Sequence, residues 1–213
     1  MERSTPWALL SLREGFAFDL FAPASVLATL AANPMFDVLH PARVRRIPLV
    51  PGASHIGPSG LQFRAFPVAG KIALHADVGA RGQIADDSDT IGLEVSDPAT
   101  GASFFHIPCC AAVDRMLAER LRRARLVLFD GTLYRDDEMI QQGLSEKSGH
   151  RMGHISISGP DGAIAALDDL GIARRIFVHI NNSNPVLNEG SAERRATQQA
   201  DWEVAFDGME MRL

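Results

Sequence analysis

Leu126-Val127-Leu128-Phe129-Asp130-Gly131-Thr132 opens on four apolar residues and breaks at a carboxylate. An apolar run this short is what a strand buried on both faces looks like, and such strands belong to parallel sheets covered by helices. Phe177-Val178-His179-Ile180-Asn181-Asn182-Ser183-Asn184-Pro185 repeats the arrangement, with a predicted strand over Ile176–Ile180 and an Asn-rich turn after it. Between the two, Arg151-Met152-Gly153-His154 falls in a loop ahead of a predicted helix. Open α/β sheets gather their functional groups at or just past strand ends. Asp130, His154 and His179 are therefore the candidate chemistry of this chain.

Working outward, the pattern alternates strands and helices. Ser158-Gly159-Pro160-Asp161 reads as a helix start with Pro in the first turn, with Ile164, Ala165, Leu167 and Leu170 on the buried face and Gly171 as the stop. Upstream, Val113, Met116, Leu117, Leu121 and Ala124 recur at helical spacing. Asp136–Gln142 is a short predicted helix. Thr90–Val95 and Ser103–Ile107 are predicted strands joined by Asp97-Pro98-Ala99-Thr100-Gly101, a hairpin with strong turn chemistry. Leu61–Val68 and Ile72–His75 form a second strand pair about Ala69-Gly70, and Gly79–Asp89 is a predicted acidic surface loop. Asp86, Asp87 and Asp89 in that loop lack the calcium-loop pattern and read as solvated acid. Nearer the start, Phe16–Phe21 is a predicted strand. Pro23 then opens a helix carrying Val26, Leu27, Leu30 and Ala31 on one face, and a short strand follows near Val44–Val50. A last helix begins near Ser191, and Trp202–Phe206 with Met209–Arg212 is expected to close the chain as a strand pair. The whole chain, 1–213, reads as a single α/β domain.

Composition narrows the function classes. The 213 residues are 46% hydrophobic and 22% charged, which is ordinary globular composition, and the net charge of −5 carries no basic footprint for nucleic acid. The basic run at Arg120–Arg125 lies on a helical pattern and reads as a solvated face. Met1–Leu12 holds too short an apolar run for a signal peptide or a membrane span, so a cytoplasmic protein is expected. Cys109 and Cys110 are adjacent and form no disulfide framework or zinc-ligand spacing. They could be soft metal ligands, but core or turn positions are the preferred reading. No Gly-x-Ser-x-Gly, phosphate loop or dinucleotide fingerprint occurs.

Each candidate has a functional and a structural reading. His179 either presents an imidazole nitrogen to a metal or hydrogen-bonds the Asn-rich turn; in the first case Asn181 or Asn182 fixes the ring or a bound molecule. His154 follows a glycine that permits close backbone approach, and either serves the site or bonds the loop. Asp130 is a ligand, an orienter of a ligand histidine, or a cap on the next turn. His106, on a strand ahead of Ile107-Pro108, takes no role, nor do His40, His55, His75 and His150.

At these motifs the chain resembles the coenzyme PQQ synthesis protein B family, a branch of the metallo-β-lactamase-like fold. The resemblance runs through Leu10–Gly15, Ala31–Leu39, Phe66–Lys71, Asp89–Leu93, Phe129–Leu133, Arg151–His154, His179–Pro185, Trp202–Ala205 and Asp207–Glu210. It implies an αββα sandwich that is incomplete here. The family's cysteine cluster and its His- and Asp-bearing metal motif have no counterpart, so the chain reads as an N-terminally truncated relative. It also implies a part in pyrroloquinoline quinone biosynthesis, through metal-dependent hydroxylation of the tyrosine of a peptide-derived precursor or as a helper of export. A non-catalytic accessory protein that binds PQQ or the precursor, or an inactive remnant, is the alternative. By residue, His179 would be the metal ligand with iron or zinc, His154 and Asp130 catalytic, and Asn181 and Asn182 cofactor-binding. The implied partners are the precursor or PQQ and other pathway proteins, with a homodimer expected where missing strands leave edges open; no nucleic acid and no membrane are expected.

Overall fold

A computed structural model describes residues 16–57, 59–71, 84–85 and 90–213. The predicted strand Ile72–His75, the acidic residues Asp86, Asp87 and Asp89, and the Leu10–Gly15 string lie outside the described residues. The chain groups into two compact units, 1–53 and 54–213.

In the first unit, β1 (Phe18–Ala22) runs into α1 (Ala24–Ala32), and the chain returns as β2 (Val44–Pro48) parallel to β1. Parallel neighbours need a crossover, and here the helix supplies it. Leu30, Phe36, Leu39 and Val44 make its small core, with Val26 and Leu27 packed against them. Ala31, expected on that face, is exposed.

The second unit is built on a seven-stranded mixed sheet. Its strands are β3 (Ser54–Ile56), β4 (Gln62–Pro67), β7 (Ile91–Ser96), β8 (Ser103–Ile107), β9 (Val127–Asp130), β10 (Arg175–Val178) and β11 (Glu203–Val204), while β5 (Gly70–Lys71) and β6 (Ile84–Ala85) pair separately. The spatial order is β11-β10-β9-β8-β7-β4-β3. The half from β3 to β8 is antiparallel, as hairpin-forming sequence predicts, and β8 through β11 are parallel. The β7–β8 turn follows its chemistry: the Asp97 carboxylate accepts from the Ala99 amide and the Thr100 hydroxyl, and Gly101 takes φ +73°. In the parallel half, α2 (Arg115–Leu121) precedes β9. The segments α3 (Glu138–Gln141), α4 (Gly149–Met152) and α5 (Ala163–Leu167) lie between β9 and β10, and α6 (Ala192–Gln199) precedes β11.

One face of this sheet carries the main core, with Ile107, Leu121, Val127, Phe129, Ile157, Leu167 and Phe177 all fully excluded from solvent. Trp202 stacks on Phe177 at 4.0 Å and meets Phe129 edge-on, which fastens the C-terminal segment to β9 and β10. Leu126, Leu128 and Ile176 point to the other face, as period-two alternation requires.

Three expectations need correction. The helix expected from Ser158 begins only after Gly162, because Gly159 sits at φ +97° and Pro160 lies within a turn closed from the Gly162 amide to the Gly159 carbonyl. The C-terminal strand pair is not formed. Only Glu203–Val204 is strand, and it pairs in parallel with β10; Gly208 at φ +82° turns the chain so that Met209 packs on Leu128 and Ile176 instead. Met116 is 79% exposed while Leu117 and Leu121 face the core, so the apolar stripe of α2 is narrower than its sequence suggests.

Arg174 and Glu203 tie the entry of β10 to β11 with bonds of 2.6 and 2.9 Å. The guanidinium holds the Glu203 carboxyl below its ordinary value. A depressed folded value contributes stability above the unfolded value near 4.5 and loses it as pH falls through the folded one. With the two side chains 34% and 43% exposed, screening limits the pair to about 1 kcal/mol at most. Glu203→Gln is therefore expected to lower the urea midpoint slightly at pH 7, and the gap to the parent should close below pH 4.5.

Candidate metal centre

Asp130 is the last residue of β9 and is fully buried. A carboxylate there is tolerable only if its oxygens are filled, and they are. Oδ2 accepts from the Cys110 amide at 2.9 Å and from His154 Nδ1 at 2.8 Å, while Oδ1 accepts from the Thr132 amide at 3.0 Å and its hydroxyl at 2.6 Å. Gly131 follows because space demands it: a Cβ would stand 2.8 Å from that of Phe177 on the neighbouring strand.

The histidines arrive by different routes. His154 follows Gly153, which ends α4 at φ +88°, and its amide bonds the Gly149 carbonyl at 2.9 Å. Its role as a helix prelude thus gives way to one as a helix exit. His179 leaves β10 with φ +54°, a left-handed conformation rare for a residue with a side chain. The turn after it is laced to the β9 exit. Asn184, 2% exposed, donates to the Gly131 and Thr132 carbonyls, and the Asn181 amide bonds Thr132 O.

Proton counting assigns the tautomers. The Thr132 hydroxyl has one proton, and its shortest, charge-assisted contact is with Asp130. Thr132 Oγ1 then accepts from His179 Nδ1 at 2.9 Å. His154 Nδ1 donates to Asp130 at 2.8 Å. With Nδ1 committed in both imidazoles, Nε2 is the atom each offers a metal in its neutral form, which is how a carboxylate or hydroxyl behind a histidine prepares it for a metal. The rings lie 5.5 Å apart and 26° from parallel.

Cys109 joins them. One ligand atom each from Cys109, His154 and His179 lies within 4.8 Å of the others, and the sulfur is 4.0 Å from His179 Nδ1. Its neighbour behaves differently. Cys110 is fully buried, burial and the nearby Asp130 charge push its thiol up to about 12, and it donates to the Ala112 carbonyl. The β8 exit is fixed at both sides, since Cys110 N bonds Asp130 and Cys110 O accepts from Ile155 N. His106, on β8, is held below its ordinary value by burial and then by His179.

The structure thus brings Asp130, His154 and His179 together, and adds Thr132, which sequence reasoning passed over, and Cys109, for which it preferred a core or turn position to a ligand role. Asp-Gly-Thr carries the usual signal of a carboxylate bonding two residues on, so Thr132 was within reach. Cys109 has no local signal, since its position depends on β8 lying beside β9. Of the expected cofactor-binding pair, the Asn181 side-chain amide is engaged with Ser183 and Met139, and Asn182 is exposed. A cleft of about 900 Å³ opens on His154 and is lined also by Arg135, His150, Ser156 and Ser158.

Residues 7–180 match the β-lactamase superfamily domain, which defines the class of the fold. A protein of Rhodopseudomonas palustris (strain BisB5) called coenzyme PQQ synthesis protein B is 50% identical over 212 residues, covering 96% of this chain and 69% of that one. The crystal structure of Zn(2+)-bound PqqB from Methylobacterium extorquens superposes with a TM-score of 0.91 at 40% identity, covering 96% of this chain and 68% of the other. A diphosphatase of the PhnP family, 16% identical with a TM-score of 0.57, covers 100% of this chain and 62% of its own, and shares the fold alone. The chain belongs to the coenzyme PQQ synthesis protein B family of the β-lactamase superfamily. Among the described residues no helix is long and apolar enough to cross a membrane.

Proposed function

We propose that this protein acts in pyrroloquinoline quinone biosynthesis through a metal centre in which His154 and His179 are ligands and Asp130 is the positioning residue behind His154. The observation that carries the reading is the pair of imidazoles whose Nδ1 atoms are committed to Asp130 and Thr132, in a cluster whose ligand atoms lie within 4.8 Å of one another. That donor set fits a borderline ion such as zinc, or iron. The family relationship and the zinc in the Methylobacterium extorquens protein support the same reading. When bound, zinc would supply Lewis-acid chemistry and iron redox chemistry beside His154.

The chain's own residues do the rest. Asp130 and Thr132 hold both rings in one tautomer, so neither loses its lone pair to a ring flip. His154 stands on the cleft wall and is the group through which a bound molecule meets the centre. Arg135 offers a guanidinium to an acidic substrate such as a peptide-derived precursor or PQQ, in a cleft it shares with the Asp136 and Asp161 carboxylates, the His150 imidazole and the Ser156 and Ser158 hydroxyls. Asn182, exposed just past His179, is the member of the Asn pair that can reach a bound molecule. Hydroxylation of a tyrosine in the precursor, with iron as the ion, dioxygen as the oxidant and an external two-electron donor taking the second oxygen to water, is the reaction this arrangement is proposed to serve, in the cytoplasm and alongside other pathway proteins.

The test is metal analysis of the purified chain together with titration of PQQ before and after chelation. Near-stoichiometric zinc or iron, and PQQ binding weakened at least tenfold when Arg135 is replaced by alanine, are expected. A protein that retains no metal from metal-replete medium would remove the centre. Quinone binding indifferent to chelation would instead favour the accessory-protein alternative.

A further inference from the structure

The segment leaving β8 places a thiol where the two histidines converge. Cys109 is half-buried, its ligand atom lies within 4.8 Å of those of His154 and His179, and its backbone is clamped on both sides of the next residue by Asp130 and Ile155. From metal–sulfur and metal–nitrogen bonds of about 2.3 and 2.0–2.1 Å, a tetrahedral sulfur–nitrogen pair around zinc spans roughly 3.6 Å. The candidate ligand atoms of Cys109, His154 and His179 lie within 4.8 Å of one another, at most about 1.2 Å wider than that span, so side-chain rotation about a bound ion would close the set. The other thiol, on Cys110, points away to the Ala112 carbonyl.

We infer that Cys109 is a third metal ligand, which makes the centre a two-nitrogen, one-sulfur site. The inference rests on the metal-centre reading above and goes beyond it by naming a donor that the histidine pair alone does not contain. Binding replaces the S–H bond by an S–metal bond and releases one proton to solvent, with no change of oxidation state. A thiolate donor favours zinc or cobalt over cations that prefer an all-oxygen shell. Three protein donors leave one tetrahedral position for water or a substrate atom; of the three, His154 also lines the cleft.

Cobalt(II) reads out the sulfur directly. The cobalt-loaded protein is expected to show a near-ultraviolet thiolate-to-cobalt charge-transfer band beside its weaker visible bands. Cys109→Ser should lose the first and keep the second, with cobalt affinity falling about tenfold or more. In the unmodified protein, zinc should slow alkylation of Cys109, mapped by peptide mass. Cobalt bound without a charge-transfer band, a band that persists in Cys109→Ser, or alkylation unaffected by bound zinc overturns the inference and leaves the histidine pair standing. Failure to bind either metal overturns both.

Discussion

Asp130→Ala is expected to cost about 3–5 kcal/mol of folding stability, because it strands four donors that now share one buried carboxylate. The magnitude follows from position. The group is 0% exposed, so water cannot replace the lost acceptor for the Cys110 and Thr132 amides or for His154. Those donors come from the β8 exit, the β9 exit and the loop after α4, so one deletion loosens three segments at once. Asp130→Asn separates this structural cost from the effect on the centre. The amide keeps the shape and one acceptor, but whichever way it is oriented its NH₂ meets a pair of donors. His154 then loses its reason to keep hydrogen on Nδ1, and zinc affinity should fall about 10–100-fold in a chain that still folds. Urea denaturation and competitive zinc titration measure the two quantities. A folded Asp130→Asn protein with undiminished zinc affinity would separate Asp130 from the centre.

Much of this arrangement was legible in the sequence because it is written in strands. The four apolar residues before Asp130 mark a strand covered on both faces, and β9 lies mid-sheet between β8 and β10. The α/β class follows from such runs, and the family follows from long matching strings that no periodicity argument could supply. What stayed hidden depends on long-range geometry or on φ. Cys109 reaches the site only because Ile107 pairs in parallel with Phe129, a register fixed by the whole sheet. The delayed start of α5 turns on Gly159 choosing φ +97°, where a Pro just ahead of a helical pattern looks like an opening. The C-terminal residues look like a strand pair by composition, yet Met209 gains more by burying against Leu128 and Ile176 than by pairing at an edge. Asp130 itself carried three readings in sequence, and its two oxygens divide between the Thr132 amide of the next turn at 3.0 Å and His154 Nδ1 at 2.8 Å.

His179 combines two properties that substitution can separate. Its φ of +54° belongs to a region that costs an ordinary L-residue about 1–2 kcal/mol and that Asn, Asp and His occupy most readily. Its imidazole is the donor that faces both Thr132 and the metal position. His179→Asn keeps the backbone preference and deletes the ring, so its urea midpoint should stay near the parent's while zinc affinity drops about 100-fold or more, beyond the effect of losing an outer hydrogen-bond partner. His179→Ala should lose the same affinity and in addition about 1 kcal/mol of stability, because alanine lacks the short polar side chain that eases this conformation. The difference between the two variants in denaturation, set against their equal loss of metal, distinguishes backbone strain from ligation. If His179→Asn retained zinc at parental affinity, the ion would have to be held by His154 and Cys109 without it. The left-handed backbone would then serve the turn into Asn184 alone, whose amide joins the β10 exit to the Gly131 and Thr132 carbonyls.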